Sequence, residues 1–247
     1  MNIKLFLKIW DNLHSEFTED FHIIRELTER FQNGLIVDLG AGTGRLAKAY
    51  SPENSYIFLD QSAESLQLLA EKVNCIDGLE FEIKTSNSYA IALKDSSVDL
   101  TLIVYNGIAE MRPILFTLAE VARILKAEGL LYLDMSNPEG VFTTSEGLFR
   151  FKNANTEQYS VSTETYRENL ELSPNDSRFV FEYRTRGLIE SVTFYQTHIS
   201  ASNWIDIFHK LGFSIEKMSG GWNNEVLETD SPHMHFWLKK YPTRNHE

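Results

Sequence analysis

The residues with the clearest chemical potential lie in one short stretch, Val37-Asp38-Leu39-Gly40-Ala41-Gly42-Thr43-Gly44-Arg45. A brief apolar run ends in Asp38, and three glycines follow on alternate positions. Glycine reaches positive φ freely and leaves no Cβ between backbone and ligand. Such a turn lets a small molecule lie against the main chain. A second apolar run, Tyr56 to Leu59, ends in Asp60, and 60 − 38 gives a spacing of 22 positions. That is near the roughly 20 at which a carboxylate ending a second strand meets a ribose diol. Gln61 and Ser62 come next. Together these residues predict a nucleoside site, with the polar tail on the turn and the sugar at Asp60.

The remaining candidates are more scattered. Val104 ends the apolar run 98–104 and Tyr105 and Asn106 follow it, with Val104 and Tyr105 as ligand contacts and Asn106 able to orient an amine or hydroxyl. His198 is the leading candidate base, and it equally suits a histidine that holds a strand end. His14, His233 and His235 read best as solvated or packing residues. His233 and His235 form an H-x-H pair without a third metal ligand nearby in sequence, so no metal site is expected. Glu110 could hold a substrate cation, although a carboxylate at a helix start is the plainer reading.

These residues need elements to position them. The glycine turn sits between an apolar run and Arg45-Leu46-Ala47-Lys48, so strand, turn and helix start are expected there. A helix N-terminus at this point would aim unpaired N–H groups at the ligand. Leu66, Leu69, Ala70 and Val73 predict a helix after Asp60. Leu79–Lys84 and Val98–Val104 predict strands, the second buried on both faces. Pro113 opens a helix carrying Leu118 and Ala122, and Leu130–Met135 predicts a further strand. Strands alternating with helices give an α/β chain with a doubly wound, mostly parallel sheet. Upstream, residues 3–32 read as mostly helical, with Thr18 as a cap.

The rhythm breaks at residues 136–199. Ser173-Pro174-Asn175-Asp176 reads as a turn, Phe179, Phe181 and Tyr183 alternate with period two, and Ile189–His198 is β-rich. An antiparallel excursion of three or four strands follows. A helix with Trp204, Ile207, Phe208 and Leu211 on one face then precedes two final strands. The expected division is a helical segment at 1–33 and a main domain at 34–247, with residues 140–199 as an inserted antiparallel β subdomain.

The chain has 247 residues and a formal net charge of −12. A phosphate backbone requires a basic surface, so nucleic acid is not an expected partner. No run approaches the roughly 20 apolar residues of a membrane span. The one cysteine, Cys75, fits a reducing cytoplasm.

The G-x-G-x-G form in VDLGAGTG differs from the dinucleotide G-x-G-x-x-G, since the third glycine falls one place early and Arg45 stands sixth. It resembles motif I of the class I S-adenosylmethionine-dependent methyltransferases. KTSNSYAIALKDSSVDLTLIV (84–104), LAEVARILKAEGLLYLDMS (118–136) and ISASNWIDIFHKLGFSIEKMSG (199–220) are similar to that family's later segments in order and spacing. The resemblance implies a seven-stranded Rossmann-like sheet and S-adenosyl-L-methionine as cofactor. It places Asp38, Gly40, Ala41, Gly42 and Gly44 at the methionine part and Asp60, Gln61 and Ser62 at the ribose. Asn87 stands where the family has an acid against the adenine amino group, with Ser88 beside it. IWDNLHSEF (9–17) resembles a segment that folds over the cofactor, with Trp10 facing it. The insert resembles those of glycine-type and amino-sugar N-methyltransferases, where it roofs the active site or builds a homodimer interface. The function so implied is methyl transfer to a small molecule by in-line displacement. Two alternatives stand beside it: a catalytically silent binder of the cofactor, and a nicotinamide oxidoreductase.

Overall fold

The computed structural model describes residues 3–14, 17–141, 159–170, 173–185 and 188–242. Helices α1 (Ile3–His14) and α2 (Phe21–Glu29) precede strand β1 (Leu35–Leu39). Then come β2 (Ser55–Asp60), α3 (Ala63–Val73), β3 (Glu80–Thr85), β4 (Val98–Ile103), α4 (Gly107–Glu110), α5 (Ile114–Ile124) and β5 (Leu125–Ser136). A short α6 (Pro138–Val141) leads toward β6 (Tyr159–Leu170), β7 (Ser173–Thr185) and β8 (Leu188–Thr197). The chain closes with α7 (Ala201–Lys210), β9 (Phe213–Ser219) and β10 (His233–Lys240).

The main sheet has seven strands in the order β3-β2-β1-β4-β5-β10-β9, and β6-β7-β8 form a separate antiparallel sheet. β1 to β5 pair in parallel, and β10 runs antiparallel to both β5 and β9. The antiparallel β10 separates this topology from the 3-2-1-4-5-6 order of the dinucleotide-binding fold. The strand order reverses between β1 and β4, and ligands of open α/β sheets bind at such a point beyond the strand C-termini.

Both sheet faces are covered. On one, Ile23, Ile24 and Leu27 of α2 and Leu66, Leu69 and Val73 of α3 pack on Ile36, Tyr56, Phe58 and Leu100. On the other, Leu118, Val121 and Ile124 of α5 and Trp204 and Phe208 of α7 cover Val37, Leu39, Leu131 and Phe236. The alternation of inward side chains in β1, Val37 one way and Ile36 the other, is the period of two that a doubly covered strand demands.

Three local expectations change. The helix expected after the glycine turn is only a five-residue 3₁₀ turn, Arg45–Ala49. Tyr50 is already extended, and Pro52 two positions on disfavours helical geometry at Ser51. Its place over the sheet is taken by α2, which packs against the 3₁₀ turn. Thr18 does not cap α2 with its side chain; Asp20 holds the cap position, and the Thr18 carbonyl accepts from Phe21 N–H. Ser173–Asp176, expected as a turn, belong to β7, with Asp176 opposite Thr197 of β8. Ser173 pairs with Leu170 of β6 and Asp176 pairs on both sides, so these two pairings bracket the Pro174-Asn175 irregularity.

Candidate functional site

Two connected lobes open beyond the C-terminal ends of β1, β2 and β4. The larger, about 350 Å³, is lined by Trp10, Asp38, Gly40, Ala41, Gly42, Ser62, Val104 and Tyr105, with α1 and β8 above. The smaller, about 220 Å³, is lined by Asp60, Gln61, Asn87, Ser88, Met111 and Arg112. Gly40, Gly107 and Glu110 border both lobes.

The glycine turn forms the floor. Gly40, Gly42 and Gly44 all take positive φ, at 82°, 55° and 77°. A Cβ on Gly40 would come within 2.5 Å of Met111 Cε, whereas one on Gly42 would meet nothing closer than 3.9 Å and would project into open space. Gly44 has another task. Its absent Cβ would lie 2.9 Å from Leu69 Cγ, so it lets α3 seat against the turn, and it lies outside the lining of either lobe. The N–H groups of Gly40 and Ala41 donate to the Leu59 carbonyl, at 2.7 and 3.1 Å, and that of Gly42 donates to Asp60 Oδ2 at 2.9 Å. The turn therefore offers a bare main-chain surface rather than the fan of free donors expected at a helix N-terminus.

Asp60 also accepts from Ser62 N–H at 2.8 Å through Oδ1. Each oxygen thus receives one fixed backbone donor and keeps a lone pair toward the smaller lobe. Asn87 is exposed there, and the Ser88 hydroxyl is bonded to Thr117 Oγ1 at 2.8 Å. At the other end of the floor, buried Asp38 receives the Tyr50 hydroxyl on Oδ2, while Oδ1 is buried without a hydrogen-bond partner. Burial pushes the Asp38 carboxyl up to about 6, against the opposing pull of the Tyr50 hydrogen bond. A lining carboxylate with one orphaned oxygen suits a ligand that brings a cationic donor.

The roof joins Trp10 and His14, both named from sequence, to Asp11 and Asp20, which sequence reasoning did not single out. Asp11 of α1 accepts from Thr43 Oγ1 at 2.7 Å and from Lys72 Nζ at 2.5 Å, tying α1 to the glycine turn and to α3. Trp10 lies 5.4 Å from the Phe194 ring of β8 and 4.2 Å from His14. His14 Nδ1–H donates to the Trp10 carbonyl, and burial holds its pKa down near 4, so the ring is neutral at pH 7. Arg45 forms a two-pronged ion pair with buried Asp20 at 2.8 and 2.5 Å. Its guanidinium packs against both the Phe17 and Tyr105 rings, 5.1 and 4.8 Å from their centroids, and the rings touch each other edge-on.

Tyr105 and Asn106 are both left-handed, φ 58° and 60°. Asp134 at the end of β5 accepts both their N–H groups, at 3.0 and 3.3 Å, and burial raises its pKa to about 7. Asn106 Oδ1 accepts from Ser136 N–H at 3.1 Å. The side chain thus ties β4 to β5 and lies outside the cleft lining, as does buried His198. Apart from Gly44, the residues expected to hold the cofactor all border one lobe or both, whereas His233 and His235 border neither. His235 is fully buried against Tyr132, with Nδ1 2.8 Å from the hydroxyl, and burial lowers its pKa to about 3. No sequence pattern marks Asp134 or Asp11; each acts through partners that only folding brings near.

Topology and glycine turn together define the Rossmann-like fold of the class I methyltransferases. Residues 36–129 match the family model described as a methyltransferase domain. Among solved structures, an S-adenosylmethionine-dependent methyltransferase from Clostridium acetobutylicum ATCC 824 superposes with a TM-score of 0.78 at 16% identity, covering 98% of this chain and 100% of that one. The CcbJ methyltransferase from Streptomyces caelestis gives 0.74 at 12% identity, covering 91% and 90%. S-adenosylmethionine-bound CalS10, an amino pentose methyltransferase from Micromonospora echinaspora, gives 0.63 at 13% identity, covering 92% and 91%. No curated protein sequence matches the chain significantly.

Proposed function

We propose that this protein uses S-adenosylmethionine to methylate a small molecule. The observation that carries the reading is the match of donor set to cofactor along one continuous cleft. The sulfonium supplies an activated methyl group whose departure leaves a neutral thioether. The residues present fit that group. Asp60, with both oxygens pre-oriented by backbone N–H groups, takes the ribose diol. Asn87 offers an amide to the adenine edge. The Cβ-free floor at Gly40 and Gly42 takes the amino-acid tail, and the orphaned oxygen of Asp38 takes its ammonium.

Displacement at an activated methyl needs alignment and dryness more than a base, and positioning alone supplies about 7–11 kcal/mol in favourable cases. Here α1 and β8 supply both, closing the larger lobe with Phe6, Leu7, Trp10, Val192 and Phe194. An acceptor in that lobe is enclosed by apolar side chains, which supports a small molecule over a polymer. The sugar and natural-product methyltransferases among the structural relatives favour the same class. The formal charge of −12 argues against a nucleic-acid acceptor. His198 and Asn106, buried behind the lining, act in this reading by holding the walls.

Calorimetry and thermal shift test the cofactor. S-adenosylhomocysteine at 100 times its dissociation constant adds about 2.7 kcal/mol of stability, and NADH is expected to add nothing. The reverse order overturns the reading. Methyl transfer is then tested by following S-adenosylhomocysteine release over amines, phenols and acids; silence across the panel leaves a binding protein instead.

A further inference from the structure

We propose that Glu110 selects the methyl acceptor: its carboxylate receives an ammonium group carried on an apolar body. The inference rests on the reading above and assigns the residue that reads the acceptor.

Glu110 ends α4 on the border of the two lobes, so it faces both the cofactor cleft and the apolar chamber under α1. The other acids lining the cleft are already committed. Asp60 is held by two backbone N–H groups, and Asp38 is bonded to Tyr50 at the glycine floor. The Arg45 guanidinium is neutralised by Asp20. Glu110 has no ion-pair partner among the described residues, and its carboxylate receives one neutral donor, Gln196 Nε2 at 3.0 Å. Asp38 also receives only one neutral donor, but the proposed function gives its second oxygen to the cofactor's ammonium; Glu110 is the lining acid that the cofactor leaves unused.

Its placement is built by the insert. Val192, Phe194 and Gln196 share one face of β8, by the period of two, and α4 packs against that strand. The first two line the chamber, and the third, itself 2% exposed, holds the carboxylate. One strand thus presents apolar wall and charge anchor side by side. The matching ligand has a hydrocarbon body against Phe6, Trp10 and Phe194 and a cationic nitrogen beyond it.

Glu110 also suits the proton step. An ammonium nitrogen has no lone pair until one N–H bond breaks. The bonding pair then stays on nitrogen, and the proton goes to a Glu110 oxygen, giving a neutral amine and a carboxylic acid. The Glu110 side chain is itself exposed to the open cleft, and the desolvating walls around it push its pKa upward, which brings its basicity closer to that of the amine. Solvent in the open cleft reaches this side chain, so a ligand that expels the water strengthens the effect.

The test uses the full chain saturated with S-adenosylhomocysteine, whose affinity is measured first for the wild type, Glu110→Gln and Glu110→Asp. Benzylamine and cyclohexylamine are then titrated against benzyl alcohol and cyclohexanol, which match them in shape without the charge. The wild type is expected to prefer each amine by about tenfold or more. Glu110→Gln should erase that preference and Glu110→Asp should keep part of it, with S-adenosylhomocysteine bound equally by all three. Equal binding of amine and alcohol by the wild type overturns the proposal. So does an unchanged preference in Glu110→Gln, or a parallel loss of S-adenosylhomocysteine binding, which would assign Glu110 to the cofactor. Melting curves exclude misfolding; if Glu110→Gln does not fold, the wild-type preference and its reduction in Glu110→Asp decide. A wild type that fails to bind S-adenosylhomocysteine would instead remove the cofactor reading, a separate outcome.

Discussion

At the scale of single residues, the cleft is distinguished by what its floor lacks. Gly42 and Gly212 both adopt positive φ, 55° and 82°, and both have room for a Cβ. Gly212 sits at the α7–β9 turn, away from the cleft lining. Alanine at either position should cost about 1–2 kcal/mol of stability from left-handed strain. Only Gly42→Ala should also weaken S-adenosylhomocysteine, because only its new methyl projects into the cleft. Urea midpoints and calorimetry on the pair separate backbone strain from ligand exclusion. Asp60→Ala removes the acceptor for two backbone N–H groups and, in the proposed function, for the ribose as well. Its affinity should fall by tenfold or more, about 1.4 kcal/mol at least, and an unchanged titration would remove Asp60 from the site. Both positions were visible in sequence, since glycine and a strand-ending acid carry their reasons in their own covalent structure. Asp134 was not visible. Its work is to satisfy two N–H groups 28 and 29 positions away, and nothing in Leu133-Asp134-Met135 announces that.

At the scale of elements, the segment before β1 behaves as a strap. α1 buries Phe6, Leu7 and Ile9, and Asp11 bolts it to the glycine turn and α3. The linker to α2 is held by Arg45 through Asp20 and the Phe17 ring. Arg45→Met leaves the buried Asp20 carboxylate without its partner, a change that typically costs 3–5 kcal/mol. Chemical denaturation should show a loss of about that size, and a loss under about 1 kcal/mol would mean that Asp20 finds another donor. The shortened helix after the turn belongs here as well. Arg45 to Lys48 have good helix propensity, yet Pro52 stops the helix and α2 takes its place on the sheet. Propensity is a local quantity; which helix covers a strand is settled by what the rest of the chain can bring to that face.

At the scale of the whole molecule, buried titrating groups of opposite kind shape the pH response. Asp134 keeps its proton to about pH 7 in the fold and only to about 3.8 in the unfolded chain. Between those values the native state binds the extra proton, so this group's contribution to stability is present at low pH and is lost as pH rises through 7. His14 and His235 act oppositely: folded values near 4 and 3, against 6.5 unfolded, make stability fall as pH drops below 6.5. The two trends offset one another in the wild type. Asp134→Asn should remove this residue's own share of the first trend and leave the second in place. Its stability relative to the wild type should therefore improve from pH 5 to pH 8, read from urea midpoints at both. A relative stability that does not change with pH would show that Asp134 titrates normally.

By itself the sequence determined the alternating α/β order, the parallel sheet, the glycine floor with Asp60, and the β-rich nature of the insert. Each of these rests on periodicity or on the conformational limits of one residue, and both are local properties of the chain. Tertiary structure alone decided that Gly44 serves α3, that the turn's N–H groups are spent on Leu59 and Asp60, and that His198 and Asn106 stand behind the walls. It also brought Gln196 to Glu110 across 86 positions. Burial and the pairing of distant charges depend on where the whole chain returns, and no short window of sequence contains that information.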